Sequence, residues 1–144
     1  MAASQDAPEE RTHLSGRYQQ TFALTIKDDA SRVVASDAHV VSGDAEESFS
    51  VVCPGSGNVS VPVTIDVSTV VAFWIMSTKS DVTLTFNDDG SPDLTVVLVA
   101  NVPYWWYTGL GANPLSVDLT GASAIKLVKS TATDALVTGA FLTT

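Results

Sequence analysis

The chain has 144 residues and a formal net charge of −9, with 45% apolar and 16% charged residues. That length suits one domain with a self-supporting core, the apolar share excludes a disordered chain, and the acidic balance lacks the basic face that nucleic acid demands. The 20 Val, 16 Thr and 16 Ser favour a pleated surface over helices, because β-branched side chains are stiff and fit strands.

Cys53 is the single cysteine, so no disulfide forms within the chain. Residues 1–14 lack the apolar stretch of a secretory signal. The longest apolar run, VVAFWIM from Val70, has seven residues, against about 20 for a membrane-spanning helix. The expectation is a protein made in a cytosol without an export signal, with neither membrane nor nucleic acid as partner. The glycosylation match Asn58-Val59-Ser60 is then a chance one.

Residues 1–16 (MAASQDAPEERTHLSG) read as a polar N-terminal arm, either solvated or laid on a neighbouring surface. Its candidate contacts are Arg11 and Leu14, with Arg17 at the junction. From Arg17 to the end, residues 17–144, the period is two. Phe22, Leu24 and Ile26 alternate with Thr21, Thr25 and Lys27, which predicts a strand with one wet face. Asp28-Asp29-Ala30-Ser31 is a turn, and an irregular strand follows over residues 32–41. Residues 42–47 (SGDAEE) read as an acidic loop with room for one helical turn.

Residues 48–53 form a short strand that stops at Pro54-Gly55-Ser56-Gly57-Asn58. Val59, Val61, Val63 and Ile65 alternate next, and Pro62 marks an edge strand or a bulge. Residues 70–76 read as a central strand buried on both faces. Val82, Leu84 and Phe86 lead into the turn Asp88-Asp89-Gly90-Ser91-Pro92, and residues 94–100 read as a second run buried on both faces. A long connection over residues 101–120 precedes two last strands, 124–129 and 135–143. The pattern predicts an all-β fold, an antiparallel β-sandwich or jelly roll of about eight strands carrying an extended N-terminal arm.

Chemistry is sparse. His13 lies in the arm, His39 stands two residues after Asp37, and no G-x-S-x-G elbow accompanies them. Residues 85–90 match the inner positions of a calcium loop at Asn87, Asp89 and Gly90, but Thr85 and Val96 occupy its two essential ends. Cys53 has no companion thiol for zinc. The reading is a protein that is not an enzyme and holds no cofactor and no metal.

The four consecutive aromatics Tyr104, Trp105, Trp106 and Tyr107 stand out. In an extended chain Tyr104 and Trp106 face one way, and Trp105 and Tyr107 the other. One pair can enter the core. The other pair needs a cover, which is a loop of the same chain, a protein interface or a sugar stacked on the rings.

The stretch Val71-Ala72-Phe73-Trp74-Ile75-Met76-Ser77-Thr78-Lys79, then Val82-Thr83-Leu84-Thr85-Phe86-Asn87-Asp88, resembles small β-sandwich virion proteins of tailed bacteriophages. So do Leu94-Thr95-Val96-Val97-Leu98-Val99-Ala100-Asn101-Val102-Pro103 with Trp105-Trp106, Asn113-Pro114-Leu115, and the final pieces Val117-Asp118-Leu119-Thr120 and Ala124-Ile125-Lys126-Leu127-Val128. The resemblance covers residues 70–144. It implies a non-enzymatic structural protein located in the virion and made in the host cytoplasm. A capsid cement or decoration protein comes first, and a tail, fibre or baseplate component second. It also implies self-association, with a trimer favoured, and contact with other virion proteins such as the major capsid protein. A carbohydrate-binding module using the four aromatics is the reading from another class.

Overall fold

The computed structural model describes residues 18–88 and 92–144. The described chain is all-β: ten strands and a single 3-10 turn at Val67–Thr69. Strands β1 (Tyr18–Lys27) and β2 (Val33–Gly43) form a two-stranded antiparallel ribbon of their own. Its turn is built by Asp28. One carboxylate oxygen accepts the backbone N–H groups of Ala30 and Arg32 at 2.9 and 3.0 Å, and the other accepts the Arg32 Nε at 2.8 Å. Ser31 takes the left-handed position, with φ 65°.

The remaining strands are β3 (Ala45–Cys53), β4 (Asn58–Val61), β5 (Val70–Ser77), β6 (Val82–Phe86), β7 (Leu94–Leu98), β8 (Tyr104–Tyr107), β9 (Ile125–Lys129) and β10 (Ala135–Thr143). They make two four-stranded antiparallel sheets, ordered β3-β10-β5-β8 and β4-β9-β6-β7. Phe73, Ile75, Val137 and Phe141 of the first sheet close against Leu84, Phe86, Ile125 and Leu127 of the second. Burying each such side chain contributes about 1.5–3 kcal/mol. Among the described residues β6–β7 is the only hairpin within a sheet of the sandwich, and every other connection from β3 to β10 crosses from one sheet to the other, so chain and core together join them.

Several sequence expectations change. The acidic loop of residues 42–47 is nearly all strand: β2 runs through Gly43, and β3 starts at Ala45. Glu46 and Glu47 fit because β3 is an edge strand with exposed positions there. The connection of residues 101–120 contains β8, which raises the strand number from about eight to ten. The run at residues 94–100 is buried on one face only. β7 is an edge strand, and Val97 is 62% exposed, so its apolar residues supply β-propensity as well as core. Pro62 does mark an edge: it follows β4, the outer strand of the second sheet.

β5 is central, as its sequence predicts, but its outer face is covered only in part, since Trp74 and Met76 stay half-buried. Its outer cover is the base of the ribbon, where Val41 packs with Ala72 and Leu142, bordered by Tyr18, Phe22, Val71 and Tyr107. Gly43 permits this approach. A Cβ there would lie 2.7 Å from both Leu142 Cγ and the Thr143 carbonyl oxygen. The N-terminal arm of residues 1–16 lies outside the described residues.

Candidate functional site

β8 divides its four aromatics by alternation. Tyr104 and Trp106 turn inward. Trp106 is 8% exposed, and its indole Nε1 donates to the Gly111 carbonyl at 3.1 Å. Tyr104 packs on Phe73 with ring centroids 5.6 Å apart, and burial pushes its hydroxyl pKa up. Trp105 and Tyr107 turn outward onto the chain's own ribbon. Phe22 lies 4.8 Å from Trp105 with 11° between the planes, and His39 lies 4.3 Å from Tyr107 with 18°. The cover for the second pair is therefore a hairpin of this chain. Arg11, Leu14 and Arg17 lie outside the described residues, and of the four aromatics the structure brings only Trp105 and Tyr107 together on one outer surface, with ring centroids 5.7 Å apart.

The ribbon crosses the outer face of the first sheet. Gln20 donates its Nε2 to the Ala140 carbonyl on β10 at 3.5 Å, and two residues on, Phe22 has reached β8. Past that point the apolar side chains lose their cover. Leu24 is 60% exposed and Ile26 48%, while Val33 and Val34 on β2 are as open. The wet face predicted for β1 is thus joined by the face that carries Leu24 and Ile26. Between Pro103, Trp105, Trp74 and Met76 on one side and Thr21, Phe22, Ala23 and Leu24 on the other lies a groove of about 540 Å³.

Sequence reading missed Phe22, Leu24, Ile26, Trp74 and Met76 as parts of one surface. A signal existed: β1 carries no charged residue before Lys27, which is unusual for a ribbon exposed on both faces.

The groups with chemical potential are held in structural roles. Asn87 donates its side-chain amide to Asp93 Oδ2 at 2.8 Å and to the Asp118 carbonyl at 2.7 Å, and its Oδ1 accepts the Thr120 N–H at 3.3 Å. Asp88 pairs with Lys126 at 3.3 Å. Asp89 and Gly90 lie outside the described residues, as does His13. Among the described residues no group of three or more His, Cys, Asp and Glu side chains could hold a metal ion.

Lys129 is 2% exposed and donates to Asp81 Oδ1 at 2.6 Å and to Thr131 Oγ1. Asp81 also accepts the Ser130 hydroxyl and the Thr131 N–H at 2.7 and 2.9 Å. These donors, Lys129 foremost, hold the Asp81 carboxyl down to about 2. The cluster buckles the loop before β6 to the loop after β9. Cys53 is buried, its Sγ donates to the Leu127 carbonyl at 3.5 Å, and burial raises its pKa. It stays a core thiol. No helix of the described chain is long and apolar enough to cross a membrane.

Comparison with protein-family models, with curated proteins and with solved structures finds no match.

Proposed function

We propose that the protein is a non-enzymatic structural part of a phage particle, in first place a capsid cement or decoration protein that stabilises the shell by packing on neighbouring subunits. The observation that carries this reading is the ribbon, a rigidly anchored hairpin with apolar side chains set out in water. A surface of that kind marks contact with another macromolecule. The titratable side chains discussed above serve the fold, which favours a packing role over a chemical one. The resemblance of residues 70–144 to phage virion proteins supplies the setting. The acidic balance suits an outer surface away from packaged DNA.

The test is cryo-electron microscopy of purified particles that contain the protein, with mass spectrometry to establish its presence. The expected result is density for the sandwich at repeated sites on the capsid shell. Density confined to a tail, fibre or baseplate selects the second reading within the class. Absence from particles, together with binding to a glycan array that Trp74→Ala abolishes, replaces both with a carbohydrate-binding module. Trp105 offers less to such a ligand, since one face of its indole is occupied by Phe22.

A further inference from the structure

The ribbon covers the outer face of the first sheet only in part. Gln20 reaches Ala140 and Phe22 stacks on Trp105. The neighbouring cross-strand row, Ser50–Thr138–Met76, lies beside them: Ser50 is exposed, and Thr138 and Met76 are half-buried. Cross-strand neighbours on one face hold their Cβ atoms ~4.5–5.5 Å apart, so two hydroxyls follow Met76 in one line. Trp74 stands in the adjoining row, between Ala140 and Trp105. Phe22 occupies one face of Trp105, whereas among the described residues no ring contact involves Trp74. The groove of about 540 Å³ follows this step, with Trp74, Met76 and Pro103 on the sheet side and Thr21 on the ribbon side.

We propose that this step binds a neutral oligosaccharide, one pyranose ring stacked on Trp74 and the hydroxyls of its rim bonded to Thr138, Ser50 and Thr21. Charge narrows the ligand first. None of the described residues that line the groove is charged, and a chain of net charge −9 repels polyanions, which sets aside nucleic acids and acidic glycans. Backbone pairing sets aside a peptide. Extended peptides are held by sheet edges, whereas β5 lies between β10 and β8 and presents a face. The hydroxyls set aside a lipid chain, which would cover Thr138 and Thr21 without giving them a hydrogen-bond partner. A pyranose supplies both halves of the match: C–H faces for an indole, and hydroxyls that donate and accept as those of Ser and Thr do. The groove volume falls within the range of small-ligand sites.

Stacking also selects among sugars. A ring whose hydroxyls are all equatorial turns only C–H bonds toward the indole, so β-linked glucose and N-acetylglucosamine fit. Mannose, with its axial hydroxyl at C2, sets a polar group against the ring face and fits less well. The site stands beside the structural role proposed above, since a particle component can carry it, and nothing in its geometry depends on that role.

The test is isothermal titration calorimetry of the full chain with cellohexaose, chitohexaose and mannohexaose. The expected result is saturable binding of cellohexaose or chitohexaose, unchanged at high salt because no ion pair contributes, with mannohexaose several-fold weaker. Trp74→Ala should weaken binding ~10-fold or more. Thr138→Val keeps the shape of the side chain and removes only its hydroxyl. It should weaken binding ~3–10-fold at an unchanged Tm, which keeps the test decisive if Trp74→Ala does not fold. No saturable heat from either cellohexaose or chitohexaose, equal affinity for mannohexaose, or full affinity in both variants overturns the site. Binding that vanishes at high salt overturns the neutral ligand.

Discussion

The rings of Phe22 and Trp105 stack in parallel, 4.8 Å apart, and so tie the ribbon to the edge strand of the first sheet. A two-stranded ribbon is marginal in water by itself. This one persists because its base is held by that stack, by His39 on Tyr107, and by Val41 against Ala72 and Leu142. The ribbon is thus a presented surface on a fixed stalk, and the sandwich is the support.

Trp105 and Trp106 are adjacent in sequence but belong to different packing units, so their alanine variants should differ. Trp106→Ala opens the core and should cost about 3–5 kcal/mol in global stability. Trp105→Ala and Phe22→Ala should instead accelerate hydrogen exchange of β1 and β2 amides while leaving the sandwich amides protected. A double-mutant cycle between Phe22 and Trp105 should give a coupling of about 0.5–1.5 kcal/mol. Equal global loss from Trp105→Ala and Trp106→Ala would make the ribbon part of the core.

Gly139 sits in mid-strand, where glycine is normally unfavourable. Its reason is contact. A Cβ there would meet the Phe49 ring at 2.7 and 2.8 Å and the Trp74 carbonyl oxygen at 2.9 Å. The aromatic ring is packed and the oxygen belongs to a backbone paired in register, so neither yields easily. Gly139→Ala should destabilise by about 1–3 kcal/mol, read as a lower denaturant midpoint. An unchanged midpoint would mean that Phe49 moves aside freely.

The core of the sandwich was legible because period two is a local signal. Leu84 and Phe86 sit where alternation predicts, and Phe73, Ile75, Leu127 and Val137 lie in segments read as strands. The partition of Tyr104 and Trp106 from Trp105 and Tyr107 was legible for the same reason. What covers the outward pair was not legible, since the contact of Phe22 with Trp105 joins residues 83 positions apart. Alternation states that a face is apolar and is silent on whether the face is covered: Leu24 and Ile26 repeat the pattern of Phe22, yet they lie beyond the sheet. The acidic segment misled because charge reads as loop, whereas an edge strand tolerates Glu46 and Glu47 on its open positions.

Gln20 is buried beneath the ribbon, its Nε2 makes one long bond of 3.5 Å to Ala140, and its Oε1 has no partner. An unsatisfied buried acceptor costs about 1–3 kcal/mol. Methionine has similar length and no acceptor to satisfy, so Gln20→Met should raise stability by about 1 kcal/mol, seen as a higher Tm. A lower Tm would show that the amide holds the ribbon base more firmly than its single bond suggests.

Asp81 gives the fold a dependence on acid. Its folded carboxyl is held at about 2, against an ordinary 3.8, by hydrogen bonds from Lys129, Ser130 and Thr131. A carboxyl whose folded pKa is depressed adds stability that is fully present above the unfolded value and is lost as pH falls through the folded one. The contribution should therefore hold at pH 5–7, decline below about pH 4 and vanish near pH 2. Asp81→Asn isolates it, because asparagine tolerates the left-handed φ of 62° at this position and leaves Lys129 buried without its counter-charge. The variant should be less stable than the parent at neutral pH in urea titrations, and the gap between them should close between pH 4 and 2. A gap that stays constant down to pH 2 would assign the role of Asp81 to the geometry of its hydrogen bonds and not to its charge.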